Sequence, residues 1–283
     1  MKLGVSSYSY AGYINAGKMT QADCVEKAAE MGFDAVEFID LTPHDGSSLE
    51  KYAETIRKRA DAAGIEISTY TVGACLIKNT PEETAAELER VKRQIDVAAI
   101  LGVTKMRHDA YFSQTKYRSF DLSLPELAEN CRALTEYAKS VGVRTMVENH
   151  GFVCQDSDRL ERLFNAVNHE NFGLLVDMGN FLCVDEDPAA AVSRLAPYAI
   201  HVHLKDFKIY PHSLGESGGI LTRGCNTIKG TAVGDGDVPI KQCIDVLKRV
   251  GYNDVFSIEF EGAGDCVEGI AKGTEFFKRI NKK

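Results

Sequence analysis

The chain has 283 residues, 44% of them hydrophobic and 26% charged, with a formal net charge of −8. That balance suits a globular protein with a sizeable core and excludes a disordered or low-complexity chain. The acidic excess sets nucleic acid and anionic lipid aside as partners, and no apolar run has the length of a membrane span or signal peptide, so a cytoplasmic protein is expected.

In chain order, short apolar runs alternate with longer segments of helical period. A first strand is expected at 3–8, followed by the helix "TQADCVEKAAEMG"; strand 35–39 precedes "SLEKYAETIRKRADAAG". Strand 66–71 precedes "TPEETAAELERVKRQIDVAAILG", and strand 104–107 precedes "SLPELAENCRALTEYAKSVG". Each of these helices starts near Ser or Thr and ends at Gly, as caps prefer. Strands at 144–148, 173–177, 200–204 and 255–260 follow, with shorter helices between them. Eight βα units in one chain predict an α/β fold, a single-domain (β/α)8 TIM barrel spanning 1–283. An open dinucleotide-binding sheet is disfavoured because no GxGxxG follows the first strand. The stretch 207–237 reads as a long Gly/Ser/Thr/Asn-rich loop on the side where barrel sites form, and is a candidate lid. The eight cysteines show no CxxC pair and are expected to be reduced thiols.

The polar residues that close the late strands carry the chemistry. "RTMVE" ends in Glu148, "FGLLVD" in Asp177, "AIHVH" in His203 and "VFSIE" in Glu259. In a barrel all four gather on the C-terminal face. Alternation agrees, since His201 and His203 share one strand face, as do Ser257 and Glu259, while the apolar neighbours occupy the other. Three carboxylates converging with one imidazole repel one another unless a cation sits among them. With no thiolate in the set, a catalytic rather than structural ion is expected: Mn²⁺ first, with Mg²⁺, Zn²⁺ or Co²⁺ as alternatives.

The motifs "VENHG", "DMGN", "HVHLKD" and "SIEFEG", in this order, resemble the xylose-isomerase-like barrel superfamily of sugar isomerases and epimerases, which also contains inosose dehydratases and AP endonucleases. The resemblance spans the chain. It implies that Glu148, Asp177, His203 and Glu259 bind one divalent metal and that Glu148 and Glu259 act as acid and base on opposite faces of a sugar or polyol ketone. A metal chelating a carbonyl and its neighbouring hydroxyl acidifies the adjacent C–H and favours an enediolate. Proton return then gives epimerisation or isomerisation, and loss of a β-hydroxyl gives dehydration. An isomerase or epimerase is the leading expectation; a dehydratase acting on a keto-cyclitol or keto-sugar is the second, and a non-catalytic sugar-binding barrel the third. The superfamily's epimerases often carry a His where this chain has Asn180, and an Arg near the position of Lys205 and Lys208, with Arg223 lying deep in the loop. "HVHLKD" is similar instead to the inosose dehydratase type. Seven histidines in an acidic chain set the endonuclease branch aside.

Around this set, Glu37, His108, His150, Asn180 and Lys205 are expected substrate contacts, Tyr8 and Tyr70 an apolar wall against the sugar, and His150 with Asn149 also a support for the metal ligand before them. Glu261 lies beyond Glu259 and is expected on the rim. "EGAGD" after the last strand either offers backbone amides to a phosphate or is a plain lead-in to the last helix. A dimer or tetramer is expected.

Overall fold

The computed structural model describes residues 1–111 and 116–282. Seven strands, β1 (Lys2–Ser6), β2 (Ala35–Ile39), β3 (Glu66–Val72), β4 (Lys105–His108), β5 (Arg144–Glu148), β6 (Phe172–Asp177) and β7 (Ala199–Leu204), pair in parallel with their sequence neighbours. The chain then makes an antiparallel excursion of three strands, β8 (Asp206–Tyr210), β9 (Ile220–Leu221) and β10 (Thr227–Thr231). It returns in β11 (Val255–Ile258), which pairs with both β7 and β1 and closes an eight-stranded parallel barrel. The helices are α1 (Ala11–Asn15), α2 (Cys24–Glu30), α3 (Leu49–Ala63), α4 (Pro81–Leu101), α5 (Phe120–Ser140), α6 (Ser157–Val167), α7 (Pro188–Leu195), α8 (Ile240–Arg249) and α9 (Cys266–Ile280). The expected (β/α)8 barrel is therefore the fold. Among the described residues no helix is long and apolar enough to cross a membrane, and all eight cysteines are free thiols.

Local chemistry explains where the elements stop. Thr80 and Glu83 form a capping box ahead of α4, with Pro81 at its first turn, and Gly102 ends it in the left-handed region at φ 73°. Ser48 caps α3 and Gly64 closes it at φ 67°. Two strands end two residues earlier than the sequence expectation. Ser6 Oγ accepts from the Tyr8 amide, which turns the chain into a 3-10 helix over Ser7–Tyr10, so Tyr8 lies past β1. The hydroxyl of Ser9 donates to Ile258 O and accepts from the Phe260 amide at 2.8 Å, ending β11 one residue before Glu259.

Alternation decides what each strand offers the barrel interior. Thr145 lies outward, its hydroxyl against Thr135 of α5, so Met146 and Glu148 point inward. On β4, Arg107 reaches inward to Glu148, which sends Met106 and His108 outward. Outward side chains such as Phe38, Tyr70, Val147 and Phe256 are fully buried against the helices.

The segment 207–237, expected to be a loop, contains most of the three-stranded sheet β8–β10–β9. Its β10 touches the barrel rim at Gly230, which bridges to Gly262. A Cβ at Gly230 would stand 2.3 Å from the Glu261 carbonyl oxygen, and backbone on both sides leaves no room to give. Gly230→Ala is therefore expected to destabilise the fold by about 1–3 kcal/mol, the usual cost of overpacking, and to raise amide exchange across 206–231. Urea unfolding and hydrogen exchange check this; an unchanged midpoint with unchanged exchange would mean the sheet is not held at that point.

Candidate active site and metal centre

Glu148, Asp177 and His203 stand at or near the ends of β5, β6 and β7, and Glu259 follows β11 directly. All four are buried. Each offers one donor atom, and these atoms lie within 4.8 Å of one another. His203 Nδ1 is 3.7 Å from Glu148 Oε1, 3.5 Å from Asp177 Oδ2 and 3.4 Å from Glu259 Oε2. Neither His203 Nδ1 nor Asp177 Oδ2 has a hydrogen-bond partner. Buried polar atoms are ordinarily satisfied, so an orphaned imidazole nitrogen ringed by carboxylate oxygens fits a divalent ion with oxygen and nitrogen ligands.

The neighbours hold these donors in place. Asp177 Oδ1 accepts from the Gly179 and Asn180 amides at 2.8 Å each, which turns Oδ2 toward His203. Asn149 accepts from the Asp177 amide and donates to its carbonyl, both at 2.8 Å, locking β5 to β6 at this level. Beneath His203, Glu37 Oε2 accepts from His201 Nε2 at 2.7 Å, and Glu37 Oε1 lies 2.8 Å from His203 Nε2. Burial alone would raise the Glu37 pKa, but His203 and His201 outweigh it and hold the carboxyl well below its usual range.

Glu148 is clamped. Its Oε2 accepts from Arg107 Nε at 2.6 Å and from Arg107 Nη2, while Oε1 accepts from Asn180 Nδ2 at 3.0 Å. Burial pushes its pKa up, yet Arg107 and then His203 outweigh this and keep it a carboxylate. Arg107 Nη1 also donates to Asp109 Oδ2 at 3.1 Å, and Asp109 Oδ1 accepts from His150 Nδ1 at 3.0 Å. Lys205 Nζ is 2.6 Å from Glu259 Oε2, 3.4 Å from both Asp177 Oδ2 and Glu261 Oε2, and donates to Asn180 Oδ1 at 3.3 Å. Asn180 therefore joins the two ion pairs.

A cavity of about 390 Å³ opens above this floor. Tyr8, Glu148, His150, Asn180, Lys205 and Glu259 line it, as does the rim residue Glu261. The Tyr8 hydroxyl donates to Glu261 Oε1 at 3.3 Å, and burial, then the Glu261 charge, pushes its pKa up to about 12, so it remains a donor. Ile220 of β9 also reaches the wall, placing the three-stranded sheet beside the mouth.

Three expected substrate contacts are corrected. Glu37 lies under His203, wholly buried, and supports imidazoles instead of meeting the cavity. Tyr70 points outward from β3, where its hydroxyl donates to Gln94 of α4 at 2.7 Å and accepts from the Leu41 amide. His108 is buried on the outward parity of β4, its Nδ1 3.0 Å from the Asp109 carbonyl oxygen. The contributors from this stretch are Arg107 and Asp109, which the sequence reading passed over; the alternation Lys105–Met106–Arg107 carried the signal once the inward parity was known. Arg223 donates to the Phe152 carbonyl and pairs with Asp156, and Lys208 pairs with Asp237, so neither lines the cavity.

Comparison with known proteins agrees with this architecture. An inosose dehydratase from Geobacillus thermodenitrificans is 22% identical over 255 residues, 87% of this chain and 83% of that protein. Among solved structures, the IOLI protein with a bound zinc atom superposes with a TM-score of 0.75 at 16% identity, covering 99% of this chain and 98% of that one. An L-ribulose 3-epimerase superposes with a TM-score of 0.75 at 17% identity, covering 99% and 94%. Residues 25–280 match the xylose isomerase-like TIM barrel family, and the chain belongs to that family.

Proposed function

We propose that the chain is a divalent-metal-dependent lyase that dehydrates a polyhydroxy ketone, a sugar or cyclitol. The observation that carries this reading is the Arg107 clamp on Glu148. Epimerisation by proton transfer across a ketone calls for two carboxyls that both exchange protons. A carboxylate gripped through two nitrogens of one guanidinium is a poor proton acceptor. Glu259 is held by a single ammonium and, like Glu148, faces the cavity; burial raises its pKa, but Lys205 and then His203 outweigh this and keep it an ionised carboxylate. One base and a separate acid suit elimination.

Glu148, Asp177, His203 and Glu259 would hold the ion, and an oxygen-rich set with one imidazole favours Mn²⁺. Lewis acidity toward the substrate carbonyl is what a bound ion would contribute, lowering the pKa of the neighbouring C–H. Glu259 takes that proton. The C–H electron pair forms the new C=C bond as the C–O bond to the β-hydroxyl breaks. His150, oriented by Asp109, is the donor we assign to the departing hydroxyl, which leaves as water. Asn180 and Lys205 keep the two glutamates apart in role by contacting one each. The inosose dehydratase relative supports this reading. Epimerisation stays as a second reading because both glutamates line one cavity.

Incubating the Mn²⁺-loaded protein with 2-keto-myo-inositol and a panel of ketoses in D₂O separates the two. Dehydration gives a product lighter by one water with enone absorbance, whereas epimerisation gives only deuterium wash-in at unchanged composition; the latter alone would overturn the lyase reading. Glu259→Gln is expected to slow turnover by about 10²–10⁴-fold, the range for a lost general base, in steady-state assays at saturating metal.

Metal binding is checked separately. Asp177→Ala is expected to purify without stoichiometric metal by elemental analysis. Glu37→Gln should weaken metal affinity by about 10–100-fold, as for other carboxylates behind a ligating histidine. Competition against a chelating dye reads that affinity, and an unchanged value would remove Glu37 from the ligand's support.

A further inference from the structure

The cavity wall carries five carboxylates, Asp40, Asp109, Glu148, Glu259 and Glu261, against two permanent cations, Arg107 and Lys205, an excess of three negative charges. Both cations are already engaged. Arg107 is bonded to Glu148 and Asp109, and Lys205 stands within 3.4 Å of Glu259, Asp177 and Glu261. A divalent ion on the floor would be balanced by the carboxylates that hold it, Glu148, Asp177 and Glu259, and the mouth carboxylates Asp40 and Glu261 would remain.

The places where barrels of this class hold phosphate are the loops after the last two barrel strands and the helix N-terminus beside them. In this chain its own carboxylates fill them. After β7, Asp206 accepts from the amides of Gly234, Gly236 and Val238 at 2.8, 3.0 and 3.1 Å. Gly236 is confined by that carboxylate, since a Cβ there would lie 2.1 Å from Asp206 Oδ1. Ahead of α9, Asp265 Oδ1 accepts from the Val267 and Glu268 amides at 2.9 and 3.1 Å. The "EGAGD" stretch is thus a helix lead-in, and an anion arriving there would meet a carboxylate. Two arginines that bond backbone of residues in the cavity wall are engaged as well: Arg90 with Glu87 and the Gly73 carbonyl, Arg223 with Asp156 and the Phe152 carbonyl.

We infer that the substrate of this site is uncharged, a polyhydroxy ketone bearing neither a phosphate ester nor a carboxylate. The inference rests on the reading of the cavity as the site for a sugar or cyclitol ketone and narrows its substrate class. Ionised carboxylates only accept hydrogen bonds, and hydroxyls are the donors that match them. Phosphate oxygens offer acceptors alone and would face acceptors across the cavity. Asp40 and Glu261, at the mouth and outside the proposed ligand and proton-transfer set, are the residues that enforce this choice.

The test is calorimetric binding to the Mn²⁺-loaded protein of two matched pairs: D-ribulose against D-ribulose 5-phosphate, and 2-keto-myo-inositol against 3-dehydroquinate, with inorganic phosphate as a control for simple metal chelation. The neutral member of at least one pair is expected to bind about tenfold or more tightly than its anionic partner, the scale of one unit-charge repulsion at protein-surface screening. In the Asp40→Asn, Glu261→Gln double variant that gap should narrow through tighter binding of the anion. Equal or tighter binding of the anionic members overturns the inference, and so does failure of both neutral members to bind. Because the readout is binding, a neutral preference without dehydration would sink the lyase reading alone, whereas dehydration of a phosphorylated ketone would sink the charge inference alone.

Discussion

Mutual repulsion among Glu148, Asp177 and Glu259 is the constraint on which the rest of the site depends. Donor atoms of these three and of His203 come within 4.8 Å of one another, buried at the floor of the cavity. Such a cluster is tolerable only if each carboxylate has a fixed counter-charge, hydrogen-bond donors or a cation to serve. The surroundings meet that demand one group at a time. Arg107 takes Glu148, Lys205 takes Glu259, and backbone amides take one oxygen of Asp177. Left without a hydrogen bond at the centre of the cluster are one imidazole nitrogen, His203 Nδ1, and one carboxylate oxygen, Asp177 Oδ2, 3.5 Å apart.

The same pairing makes the two glutamates unequal. A guanidinium gripping through two nitrogens holds a carboxylate more rigidly than one ammonium does. The pair that looks symmetric along the sequence therefore has two different anchors, Arg107 for Glu148 and Lys205 for Glu259. Asn180 joins the two from the middle, donating to Glu148 and accepting from Lys205. A histidine at that position would bring a ring where this chain needs a bifunctional amide.

Charge also shapes the mouth. The three-stranded excursion β8–β10–β9 could have brought cations over the cavity, but its lysines pair with acids of their own neighbourhood: Lys208 with Asp237 and Lys229 with Glu216. Its contribution to the wall is Ile220. Where the excursion meets the barrel at Gly230 and Gly262, two glycines let the backbones touch, and Glu261 is held at the rim beside Tyr8.

By itself the sequence determined the eight βα units, the helix caps and the polar residue that closes each late strand, because these follow from local periodicity and short-range hydrogen bonding. Glu148, Asp177, His203 and Glu259 were legible for that reason, as strand ends in a barrel have one place to go. The tertiary structure decided parity and partnership. His108 and Tyr70 fall on outward positions of β4 and β3, and a one-residue difference sends a side chain to the opposite layer. Glu37 looked like a substrate contact until its strand stood beside His201 and His203. Arg107 is a single basic residue in a short strand, and nothing local distinguishes it from Lys105 in the same strand. Its grip on Glu148 exists only because adjacent strands, 41 residues apart in the chain, stand side by side, and that grip gives the two glutamates different surroundings.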